Sequence, residues 1–193
     1  GLTVWTPGLG DAKRPVMVWF HGGGLRSGSG LIAGEVLARQ GVVVVSLNYR
    51  LGPLGFFAHP LLPASEANFG LQDMVAGLEW VQKNIAGFGG DPDKVTIFGV
   101  SAGGMAVNML MVTPDAKGLF HRVIAQGGYG TWALPRSNKL PSSDVLEMDL
   151  GAPAAAEEIG ASLVARINAD LDGEDALRAL PAADLVLALS GFQ

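Results

Sequence analysis

Gly99-Val100-Ser101-Ala102-Gly103 constrains this chain more than any other stretch. Val95-Thr96-Ile97-Phe98 runs into it as an apolar segment with strand character, and Met105 to Met111 leaves it as an apolar helical stretch. A residue held on so sharp a strand-to-helix turn has a strained backbone, and side chains two residues to either side would collide there. Glycine at both flanks removes those Cβ atoms. The helix, starting near Gly103, turns the positive end of its dipole toward Ser101. The pattern therefore predicts a strand, a tight turn with Ser101 at its tip, and a helix.

The rest of the chain repeats that alternation. Short apolar strands are predicted at Leu2-Thr6, Val16-Phe20, Val42-Asn48, Val95-Gly99 and Arg122-Gln126. Apolar residues recur at Leu71, Val75, Leu78, Val81 and Ile85 with the spacing of a helix, which Gly87-Phe88-Gly89-Gly90 brings to a stop. Strands that are nearly all apolar and separated by helices imply an α/β fold with a mostly parallel sheet covered on both faces. Residues 130–153, with Pro135, Pro141 and Pro153, read as a long irregular connection. Helices are expected at 154–169, 174–180 and 182–190. The expectation is a single domain over 1–193, with sheet and elbow in 1–129 and the connection and helices in 130–193.

Composition narrows the function classes. With a formal net charge of -5 and the 13 Lys and Arg scattered singly, the chain lacks the basic surface of a nucleic-acid binder. The absence of cysteine excludes a disulfide framework, a thiolate metal site and a cysteine nucleophile, and leaves the compartment open. Val42-Val45 and Leu185-Leu189 are too short to span a bilayer, so no membrane span is expected. Gly1-Leu2-Thr3-Val4-Trp5 reads as the start of a strand rather than a signal peptide, and as a piece of something longer.

The second chemical signal is His21-Gly22-Gly23-Gly24, directly after the strand Val16-Phe20. A serine nucleophile needs main-chain N–H groups aimed at the oxyanion of a tetrahedral intermediate, and glycines let the backbone come close enough to supply them. One donor is expected just after the nucleophile, at Ala102, and the others in this loop. Gly87-Gly90 with Asp91 resembles a phosphate loop only superficially, since the Lys-Ser/Thr ending is missing.

Together with Val4-Trp5-Thr6-Pro7, Asn48-Tyr49-Arg50-Leu51-Gly52, Asn68-Phe69-Gly70-Leu71-Gln72-Asp73, Phe88-Gly89-Gly90-Asp91-Pro92, Leu119-Phe120-His121-Arg122 and Leu177-Arg178-Ala179-Leu180-Pro181, these motifs make the chain resemble the type-B carboxylesterase/cholinesterase family, its bacterial members most closely. The resemblance implies an α/β-hydrolase fold, here incomplete, with central strands present and C-terminal strands missing. It implies a serine esterase that cleaves a small-molecule carboxylic ester through an acyl-enzyme without a cofactor or metal. Ser101 would be the nucleophile, and Gly23, Gly24 and Ala102 the oxyanion hole. The rival reading is a non-catalytic hydrolase-fold binding or adhesion protein, a kind the family also contains.

This chain departs from the family at three places: Val100 stands for the usual Glu, Gly127 for Ser and Leu25 for an aromatic residue. The Glu and Ser belong to one polar network in the family, so losing both leaves neither as an orphan. Val100 is then expected to be buried, where a carboxylate would be destabilising. The family's acid and base follow the serine at a distance that places both beyond residue 193. Of the three histidines, His21 is expected to position the glycine loop, while His59 and His121 match positions with no catalytic role. Asp73 and Glu79 read as surface, and Met105, Met109 and Met111 as core fillers.

Overall fold

Strand β3 (Val43–Leu47) is buried at all five positions, the mark of a strand covered on both faces, and the sheet is arranged around it. In the computed structural model, which describes residues 1–63, 67–130, 137, 155–167 and 171–189, the sheet also contains β1 (Leu2–Trp5), β2 (Arg14–Phe20), β4 (Gly90–Val100) and β5 (Arg122–Gln126). The spatial order is β1-β3-β2-β4-β5. Strands β3, β2, β4 and β5 are parallel, while β1 runs antiparallel to β3 with Leu2 opposite Leu47. Register stacks apolar residues in rows across the parallel strands, such as Val45, Val18 and Ile97, all fully buried. Each such side chain contributes about 1.5–3 kcal/mol relative to exposure.

The helices are α1 (Gly34–Ala38), α2 (Gly52–Phe56), α3 (Phe69–Asn84), α4 (Ala102–Val112), α5 (Ala156–Arg166), α6 (Glu174–Arg178) and α7 (Ala182–Leu189). On α3 the predicted stripe is buried at Val75, Leu78 and Val81, joined by Met74, while Leu71 is half-buried. A 3-10 turn over Ile85–Phe88 follows, and Gly89 at φ 76° closes it. On α4 the buried residues are the small ones (Ala102, Gly103, Gly104, Ala106) with Val107 and Leu110, whereas Met111 is half exposed. The methionines expected in the core are displaced because the helix lies too close to the backbone beneath it for long side chains. A Cβ on Gly104 would come 2.9 Å from the Gln126 carbonyl oxygen.

Contacts gather the chain into two units, Gly1–Tyr49 with Gly70–Gly130, and Arg50–Phe69 with Thr131–Gln193. The first holds the whole sheet with α1, α3 and α4. The second is built on α2 and α5 to α7 around Leu62, Val164 and Leu177. The irregular connection expected at 130–153 lies outside the described residues apart from Gly130 and Ser137.

Candidate active site

Strand β4 ends at Val100 and α4 begins at Ala102, so Ser101 alone makes the turn. Its φ of 55° and ψ of -123° fall in a region that non-glycine residues rarely occupy, a strain of order 1–3 kcal/mol that the surrounding structure must hold. Two hydrogen bonds do so: Ser101 N–H donates to the Gln126 carbonyl at 2.8 Å, and Met105 N–H donates to the Ser101 carbonyl at 2.9 Å. The glycine flanks are explained by space. A Cβ on Gly99 would lie 2.5 Å from the Gly103 carbonyl carbon and oxygen, and one on Gly103 would overlap the Phe20 carbonyl oxygen. Ser101 is exposed, so its hydroxyl is presented rather than packed.

The glycine loop lies against this turn. A Cβ on Gly22 would sit 2.8 Å from the Val100 carbonyl oxygen and 3.3 Å from Ser101 Cβ, so the loop backbone passes within contact distance of the serine. Gly23 and Gly24 both take positive φ, 108° and 63°, and Leu25 follows at 60°. The Gly23 carbonyl accepts the N–H of Arg26 at 3.0 Å and of Ser27 at 3.1 Å, and the Ser27 hydroxyl at 3.3 Å. The Gly22 carbonyl accepts from His21 Nδ1 at 2.8 Å, so Nδ1 carries the ring proton. In a trans peptide the carbonyl and the next N–H point in opposite directions. Anchoring the Gly22 and Gly23 carbonyls therefore turns the N–H groups of Gly23 and Gly24 the other way. Neither N–H, nor that of Ala102 in the first turn of α4, has a partner among the described residues.

His21 is buried, with its Nε2 unpartnered among the described residues. Its ring stacks on Tyr49 with centroids 4.3 Å apart and planes 14° from parallel, and the Tyr49 hydroxyl donates to the His21 carbonyl at 2.6 Å. Burial pushes the Tyr49 hydroxyl up to about 12, which keeps it a donor. Sequence reasoning missed Tyr49 and Ser27. Tyr49 lies 28 residues from His21 in the chain; its presence in a recognisable motif was the only signal.

The other histidines stand elsewhere. His121 Nδ1 accepts the Val95 N–H at 3.2 Å, halfway along β4 and six residues before Ser101, about 20 Å away at 3.3 Å per residue. His59, in the second unit, accepts the Leu61 N–H at 3.2 Å and stacks on Phe57. Among the described residues no group of three or more His, Cys, Asp or Glu side chains is arranged to hold a metal.

Two of the departures lie beside the turn. Val100 is 42% exposed among the described residues. Gly127 sits at φ 57° with open space where a Cβ would go. A serine there would meet no clash and would carry only the left-handed backbone penalty of about 1–2 kcal/mol.

The profile of the carboxylesterase family matches residues 1–185. The fumonisin B1 esterase of Sphingopyxis macrogoltabida is 43% identical over 164 residues, which take in 80% of this chain and 30% of that protein. The para-nitrobenzyl esterase of Bacillus subtilis is 49% identical over 132 residues, 66% of this chain and 27% of that one. Among solved structures, a carboxylesterase of Geobacillus stearothermophilus superposes with a TM-score of 0.79 at 36% identity, covering 99% of this chain and 38% of its own. The chain thus spans about a third of the length of the proteins it matches.

Proposed function

This chain belongs to the carboxylesterase family, and on that premise we propose that it carries the nucleophile and oxyanion hole of a serine esterase acting on small-molecule carboxylic esters. The observation that carries the reading is the placement of Ser101, strained and exposed, against a glycine loop whose Gly23 and Gly24 N–H groups are turned away from anchored carbonyls. Ser101 Oγ attacks the acyl carbon while a general base takes its proton. The carbonyl oxygen becomes an oxyanion held by the N–H groups of Gly23, Gly24 and Ala102. Collapse breaks the ester C–O bond, the protonated base returns its proton to the leaving alcohol, and water then attacks the acyl-serine by the same route.

The base and its orienting acid come from chain outside these 193 residues. His21 is committed to the Gly22 carbonyl, His121 bonds Val95 six residues before Ser101 on β4, and His59 Nδ1 is occupied by Leu61. Both units are parts of one hydrolase domain, which the remaining chain completes.

The test is covalent labelling of the full-length protein with a fluorophosphonate, together with hydrolysis of a short-chain p-nitrophenyl ester. Labelling is expected on Ser101 alone, and Ser101→Ala is expected to lose both labelling and turnover, by about 10⁴-fold or more, with its thermal stability retained. Wild-type turnover in Ser101→Ala would refute the assignment. A folded wild type that neither labels nor turns over would favour the binding-protein reading.

A further inference from the structure

The oxyanion hole proposed above consists of main-chain amides, so its accuracy depends on whatever fixes the peptide planes. Two of those planes are held through their carbonyls by unequal means. The Gly23 carbonyl has three donors, two of them main-chain N–H groups that come with the turn itself. Among the described residues the Gly22 carbonyl has a single donor, the His21 ring. The aim of the Gly23 N–H therefore rests on one imidazole.

That imidazole has nothing else polar to hold it, since Nε2 is buried without a partner among the described residues. What it has is Tyr49. The phenol ring lies flat against it, and the phenol hydroxyl reaches over to the carbonyl of the same residue. Gly28, at φ 110°, comes so close that a Cβ would sit 2.6 Å from both His21 Nδ1 and the Gly22 carbonyl oxygen. The ring is thus stacked on Tyr49 and closely approached by bare backbone at its Nδ1 edge, with Nδ1 turned to the one acceptor it serves.

We propose that Tyr49 is a positioning residue for the oxyanion hole: it holds His21, and His21 holds the peptide that carries the Gly23 N–H. The inference rests on the esterase reading of the site. Tyr49 touches no substrate. Its effect is confined to the transition state, because a misaimed N–H loses most where negative charge develops on the substrate oxygen and little where the substrate is a neutral ester.

The experiment uses the full-length protein as wild type, Tyr49→Phe and Gln82→Met. Active serines are counted by fluorophosphonate titration, so that turnover is expressed per reactive site and misfolded protein drops out. Tyr49→Phe keeps the ring on His21 and removes only the hydroxyl. Its kcat per titrated serine is expected to fall about tenfold, with KM changed less than about twofold. The inhibition constant of a trifluoromethyl ketone, whose serine adduct bears an oxyanion, is expected to rise in parallel. Gln82→Met removes hydrogen bonds at the far end of the sheet, where the Gln82 amide donates to the Pro92 and Leu119 carbonyls. It is expected to lower thermal stability and leave kcat per titrated serine unchanged. An unchanged kcat per titrated serine in Tyr49→Phe overturns the proposal, as does an equal fall in both variants, which would mark general loosening. A wild type in which no serine titrates overturns the esterase reading, and the proposal with it.

Discussion

The two ends of strand β4 use the same main-chain polar groups in opposite ways. At the N-terminal end side chains answer them. Gln82 donates to two carbonyls, His121 accepts the Val95 N–H, and the Asp91 carboxylate accepts the Asp93 N–H at 3.1 Å. Lys94 bonds that carboxylate at 2.9 Å and, with the Asp93 N–H, holds Asp91 below the usual carboxylate range. At the C-terminal end no side chain caps the helix that follows. Backbones meet there across bare glycines, and the amides of Gly23, Gly24 and Ala102 have no partner among the described residues. One end is closed for stability; the other is held open in a conformation that costs energy. A strand with both ends satisfied would make a sounder sheet and have nowhere to place a developing charge.

Substitutions can break this contrast. The largest effect on stability is expected from Gly103→Ala, since its methyl would overlap the Phe20 carbonyl oxygen and backbone yields less readily than a side chain. A loss of at least about 3 kcal/mol in denaturant unfolding is expected, with active-serine titre falling alongside. A fully stable Gly103→Ala would mean the crossing at the elbow is looser than described. Next comes Gln82→Met, expected to lose about 1–2 kcal/mol because two carbonyls go unanswered. If turnover per active serine fell as well, the two ends would be coupled and the contrast would fail. Smallest is His121→Ala: His121 is exposed and accepts one 3.2 Å bond, so less than about 1 kcal/mol is expected, with turnover within about twofold of wild type. A large fall in turnover would place His121 in the chemistry, against its position beside Val95.

Much of this was legible in the sequence for a definite reason. Parallel strands buried on both faces are apolar at nearly every position, so Val43–Leu47 and Val95–Phe98 stand out without an alignment. The elbow is visible because only glycine fits at 99 and 103. What escaped was whatever depends on direction or on distant pairing. The antiparallel sense of β1 leaves no trace in four residues. The start of β4 at Gly90 was hidden because Gly90-Asp91-Pro92-Asp93 has the composition of a turn, yet Gly90 pairs with Arg14 across a register shift. Helices α1 and α2, five residues each and opening with glycine, are too short to show a period. Whether Val100 is buried was not legible, because burial depends on what lies alongside the strand; among the described residues the neighbour on that side is β5, with Val123 and Ile124 exposed.

That the three open donors are amides has a consequence for heredity. Every amino acid except proline brings the same N–H to the chain, so substitution at these positions deletes a donor only by introducing proline. Glycine and proline codons differ at both of their first two bases, so the donors at Gly23 and Gly24 lie beyond the reach of a single nucleotide change. Alanine and proline codons differ only at the first base, so Ala102 lacks that protection. In a population, a single nucleotide change can therefore delete the amide donor at Ala102, whereas at Gly23 and Gly24 it can only re-aim a donor that stays in the chain.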